Sequence, residues 1–141
     1  MLRWYAVGLG FLVAVVISLL AGMALGRAPV DENPGLLALP SFVALFAAGY
    51  VAARVARQAG LFHGIAVAVL YIFVAASIKA LQELVLAAQW GPFAVGPMNM
   101  GGLLLGDLIH LSAASLGGWL GETHVRGRPA DAEEATAPPA R

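Results

Sequence analysis

Four apolar runs, each about as long as a bilayer is thick, leave this chain few folds to choose from. They cover residues 4–26, 36–55, 61–88 and 99–120, with most of the charges and prolines lying between or after them. A helix needs about 20 predominantly apolar residues to cross the hydrocarbon core, so the pattern predicts an all-α, four-helix transmembrane bundle. Composition agrees, since 60% of the 141 residues are hydrophobic and 11% are charged, against about 25% charged in an ordinary soluble domain. The expected partner of this surface is the lipid bilayer.

The first run, Trp4 to Gly26, follows Arg3 and ends near Ala24 and Leu25, an order that a cleavable signal peptide also shows. A signal peptide's apolar core is only about 7 to 15 residues long, so the run is read as an uncleaved first helix. Cleavage would leave three spans. The sequence RAPVDENPG then breaks the helix with Pro29, Asn33, Pro34 and Gly35. The second run holds Pro40 in its first turns, where a missing amide donor is best tolerated. A short basic connection, Arg54 to Gly60, leads to the third. After it, QWGPFAVGPM reads as an interfacial loop anchored by Trp90 and Phe93. Residues 1–121 are thus one four-span domain, and the proline- and alanine-rich residues 122–141 read as a disordered cytoplasmic tail.

Basic residues set the orientation. A cytoplasmic amino terminus puts Arg3, Arg54, Arg57, Arg126, Arg128 and Arg141 on the inner side and leaves Arg27 and the embedded Lys79 for the other. The chain is therefore expected in the cell (inner) membrane, multi-pass, with both termini cytoplasmic. Zero formal net charge and the lack of a basic stripe give no reason to expect nucleic acid. The absence of cysteine removes disulfides and thiolate chemistry.

Small residues recur at four-residue spacing: Gly22 and Gly26, Gly49 and Ala53, Gly102 and Gly106, Gly117 and Gly121. Such strips let helix backbones approach closely in lipid, within the bundle or between copies of it. The most informative positions are ionisable. Counted from the ends of the third and fourth runs, Lys79 and Asp107 lie roughly 12 to 14 Å along their helices, which predicts an ion pair at one level. That pair would either fix helix register or mark a proton, ion or substrate site. Glu83 lies four residues after Lys79 and His110 three after Asp107, on shared faces. Ser18 and Ser41 fall in the same half of the membrane and are candidate polar neighbours. His63, beside Gly64, reads as interfacial. Asp107, His110 and Glu83 make a poor metal set, and no catalytic or cofactor motif stands out.

The central GYVAARVARQAGLFHG and the closing SLGGWLG resemble small uncharacterised bacterial four-helix membrane proteins, with a glycine-rich end of helix two, a basic turn, His-Gly opening helix three and a glycine-rich end of helix four. The resemblance implies a four-helix bundle with Arg54 and Arg57 in a cytoplasmic turn, and no activity. The residues themselves suggest a structural or accessory subunit rather than an enzyme, as a homo-oligomer or within a larger membrane complex. The alternative is a small transporter or channel component using Lys79, Glu83, Asp107 and His110.

Overall fold

The computed structural model describes residues 2–25, 34–91 and 99–126. It is all-helical: α1 is Trp4–Leu25, α2 Pro34–Ala56, α3 Gly60–Trp90 and α4 Met100–Arg126. All four are long and apolar enough to cross a membrane. Their outward faces carry Leu12, Leu19, Phe73, Leu104 and Leu108. A bundle with this exterior is compatible with an integral membrane protein, because in lipid the apolar side chains on the outside carry no cost.

The helices run up, down, up, down. Arg3 at the start of α1 meets His63 in the first turn of α3, Tyr5 meets Val55 at the end of α2, and Gly60 meets Glu122 near the end of α4. These contacts gather the described arginines Arg3, Arg54, Arg57 and Arg126 at one end, here called the basic end. Helices α2 and α3 touch across the middle. Each also packs on both α1 and α4, while α1 and α4 make no contact with each other.

Small residues set the interhelical distance. At the seam between α2 and α4, a side chain at Gly117 would run into the Phe46 backbone, and one at Gly49 into that of Ala114. Gly64 of α3 approaches the same Ala114 carbonyl, so α2, α3 and α4 meet backbone to backbone at that point. Further toward the basic end, Gly121 sits against Tyr50 and Ala53, and Gly60 against Gly118. Glycine lets these backbones approach more closely than any residue with a Cβ would permit. The resulting core contains Val7, Ala14, Leu45, Ala48, Ala52, Val67, Ala68, Ala113 and Ala114.

That core occupies the basic half of the bundle. Buried residues of α3 stop at Ala68, and those of α4 begin at Ala113. Toward the far end, Ile78, Leu81, Leu84, Val85 and Trp90 of α3 and Met100, Leu104 and Leu105 of α4 are exposed. At ~1.5 Å per residue, the 31 residues of α3 extend about 46 Å. That length matches a bilayer with its headgroup regions rather than the hydrocarbon alone.

Three helix ends differ from the sequence expectation by two residues or more. Helix α2 starts at Pro34 rather than Leu36, so Pro34 and Gly35, read as breakers, stand in its first turn, where the amide that proline lacks has no intrahelical partner anyway. Helix α3 continues to Trp90 rather than stopping at Ala88. Helix α4 continues through Glu122 and His124 to Arg126, so the proposed tail loses its first five residues to the bundle. Hydropathy falls there, but Glu122 holds Gly60 and Arg126, and His124 packs edge-on against Tyr50. Tertiary contacts thus carry the helix past its apolar stretch. Residues 127–141, together with the interfacial segment 92–98, lie outside the described residues.

Candidate functional site

Polar chemistry is gathered in three places. The first is the basic end, where α2 passes to α3 through Arg57, Gln58 and Ala59. Arg57 and Ala59 have φ of 58° and 50°, a left-handed conformation costly for residues with a Cβ. The turn is fixed from three sides. Arg57 donates its amide to the Ala53 carbonyl at 2.9 Å. The Ala59 carbonyl accepts from the His63 amide at 3.1 Å and from His63 Nδ1 at 2.9 Å. Because α3 has no side-chain cap of its own at Ala59, Glu122 of α4 supplies one, its Oε2 accepting from the Gly60 amide at 2.6 Å. A carboxylate at a helix start meets both an open amide and the positive end of the helix dipole. Its other oxygen pairs with Arg126.

His63 is the fully buried polar side chain among the described residues. Nδ1 carries the proton given to Ala59, which leaves Nε2 as an acceptor for the Arg3 amide at 3.0 Å. The imidazole therefore ties the start of α1 to the turn between α2 and α3. Tyr5 adds a longer bond to the Val55 carbonyl, at 3.4 Å. Sequence reasoning placed His63 at the interface and consigned Glu122 to the tail. The partners that give these residues their roles lie sixty or more residues away.

The second place lies across the middle of α1, α3 and α4. Ser18 Oγ and the Tyr71 hydroxyl are 3.3 Å apart, and the Tyr71 ring meets His110 edge-on with centroids 5.7 Å apart. Ser18 and His110 are thus linked through Tyr71, a residue the sequence reading passed over. Its place one helical turn after Val67, on the packed face of α3, is the signal that would have found it. Ser41, half-buried on α2, makes no hydrogen bond to this group. Ser112 and Ser115 bond back to carbonyls of their own helix.

The third place is the far half of α3. Lys79 Nζ lies 3.9 Å from Glu83 Oε1, with the two side chains 56% and 32% exposed. Among the described residues no ion pair joins Lys79 to Asp107. Measured from the fixed basic end, Lys79 stands about 28 Å from Gly60, whereas Asp107 stands about 22 Å from Glu122. The difference of about one helical turn separates the two levels. Counting from the far ends had equalised them because it placed the end of α3 too early.

The small-residue positions divide as well. Gly49, Ala53, Gly117 and Gly121 face the seam between α2 and α4. Gly22 and Gly106 have open space around them, and Gly102 sits over Asn99 at the start of its own helix. Gly26 lies outside the described residues. Among the described residues no three His, Asp or Glu side chains converge to hold a metal ion.

Comparison with known proteins adds no relative: no family model, curated protein or solved structure matches this chain.

Proposed function

We propose that the protein is a structural or accessory component of a bacterial inner membrane, with both termini in the cytoplasm, and that its charges and hydrogen bonds serve assembly rather than turnover. One observation carries this reading. His63, the fully buried polar side chain among the described residues, uses both ring nitrogens to fasten helices together, one to Ala59 and one to Arg3. Such an imidazole has no free nitrogen with which to relay a proton or hold an ion. The glycine-lined seam points the same way, since backbones in direct contact leave no path between helices.

The alternative, a small transporter or channel component, draws on Ser18, Tyr71 and His110, which bring half-buried hydroxyl and imidazole groups together from three apolar helices. Asp107 and His110 share a face of α4 three residues apart. One set of measurements separates the two readings. Purified protein is reconstituted in vesicles, and proton and solute flux are compared with protein-free vesicles, alongside the folded abundance of H63A, H110A and Y71F. A structural component shows no flux above background and loses abundance with H63A. Flux that disappears in H110A or Y71F at normal abundance refutes it. For the orientation, a reporter inserted after Arg57 should remain cytoplasmic, and its appearance outside the cell would overturn the assignment.

A further inference from the structure

The α2–α3 turn and the last turn of α4 enclose a recess of about 560 Å³ lined by Arg54, Arg57, His124 and Val125. Two of these side chains, Arg54 and His124, are held by Tyr50. Arg54 donates to the Tyr50 hydroxyl at 3.3 Å, with its guanidinium 5.7 Å from the Tyr50 ring centroid. His124 meets that ring edge-on at 5.9 Å, and its Nδ1 donates to the Leu120 carbonyl at 3.0 Å. Tyr50 therefore positions Arg54 and His124 on either side of itself. Arg57 projects from the left-handed turn residue and makes no ion pair among the described residues.

No carboxylate lines the recess. Glu122, on the same turn of α4, is committed to Gly60 and Arg126. Among the described residues Arg54 and Arg57 make no ion pair, and they converge on one polar space, an arrangement suited to a phosphate, whose oxygens accept several guanidinium donors at once. A second observation says where the phosphate comes from. Trp4 and Tyr5 in the first turn of α1, Phe62 in the first turn of α3 and Trp119 two turns from the end of α4 are all exposed around the same end. Aromatic side chains in such a ring sit at headgroup depth, and basic pockets between helices on the cytoplasmic side suit anionic headgroups.

We infer that this recess binds the phosphate of an anionic phospholipid headgroup, with Arg54 and Arg57 as the phosphate donors, His124 as part of the recess wall, and Val125 against the glycerol. The inference rests on the membrane reading above and on the basic end lying at a headgroup layer. It gives the protein a lipid preference that the bundle itself does not require.

The test uses the full chain in vesicles of equal parts phosphatidylcholine and phosphatidylglycerol. The lipids retained through gentle extraction are counted by native mass spectrometry. Phosphatidylglycerol should be retained over phosphatidylcholine, and R54Q/R57Q should lower that retention roughly tenfold or more, the loss expected when charge-assisted hydrogen bonds to phosphate are removed. The charge-matched tail variant R128Q/R141Q should retain as much as the unaltered chain. Where the double variant does not fold, R57Q alone and V125E, which puts a carboxylate on the recess wall, are read in its place. Equal losses from the turn and tail pairs would mean diffuse charge attraction and overturn the site. Unchanged retention in R54Q/R57Q, or in R57Q and V125E, overturns it too. Displacement of phosphatidylglycerol by an equal concentration of inorganic phosphate would reassign the recess to soluble phosphate and refute the lipid assignment. Failure of the chain to enter vesicles at all would instead sink the membrane reading.

Discussion

Gly117→Ala and Gly106→Ala make the same chemical change on the same helix, and the structure assigns them opposite effects. A Cβ at position 117 would stand 2.8 Å from the Phe46 carbonyl carbon and 3.1 Å from its Cα, with the carbonyl oxygen nearer still. Ordinary contact begins near 3.4 Å, so the seam between α2 and α4 must open by at least roughly 0.6 Å, the difference between 3.4 and 2.8 Å. The obstructing atoms are backbone and cannot rotate aside. Overpacking of this kind costs about 1 to 3 kcal/mol, and a rigid obstacle places G117A at the upper end. Alanine returns about 1 kcal/mol of helix propensity over glycine, for a net loss of about 2 kcal/mol. At Gly106 nothing lies within 4 Å, so only the propensity gain of up to about 1 kcal/mol applies. The two variants should therefore differ by about 3 kcal/mol, more than a hundredfold in the folding equilibrium. Equilibrium unfolding in mixed dodecyl maltoside and SDS micelles, followed by tryptophan fluorescence, measures both against the parent chain. Adding G49A to G117A should cost less than the sum of the two single changes, because both act on one seam. If G117A and G106A unfold at the same SDS fraction, the close backbone approach is not what holds α2 to α4.

H63F leaves the Arg3 amide without its acceptor and should cost about 1 to 3 kcal/mol, read as faster hydrogen exchange in the first turn of α1 with α4 unaffected; uniform exchange changes would contradict a local tie. E122A removes both the acceptor for Gly60 and the partner of Arg126 and should cost about 2 kcal/mol in the same SDS titration, while E122Q, which keeps an acceptor, should cost less than half as much. Exchanging charges in K79D/D107K should restore nothing that either single change removes, and a rescue would show that the two residues pair after all.

Much of this architecture was legible because hydropathy is a local property. Runs of twenty apolar residues announce α1 to α4 whatever they pack against, although Pro34, read as a breaker, proves to open α2. What could not be read is which residues meet across the bundle. Gly22 and Gly106 have the same four-residue spacing as Gly49 and Gly117, yet only the latter pair touches another backbone. Periodicity says which small residues share a face and leaves open where that face points. Lys79 and Asp107 were matched by counting inward from helix ends, a measure that shifts with every residue added to α3. Glu122 was assigned to the tail by its polarity, although that polarity is what caps α3.

The two ties at the basic end also constrain how the chain is made. Arg3 precedes His63 by 60 residues and Gly60 precedes Glu122 by 62. A ribosome delivers the chain from its amino terminus, so α1 enters the bilayer with its first amide unanswered and is fastened only after α3 has begun to emerge. Helix α3 in turn waits for nearly the last turn of α4 before its own start is closed. Both latches therefore shut late in synthesis, and a nascent chain halted just before Glu122 would hold every apolar span and still lack the acid that locks the last two together.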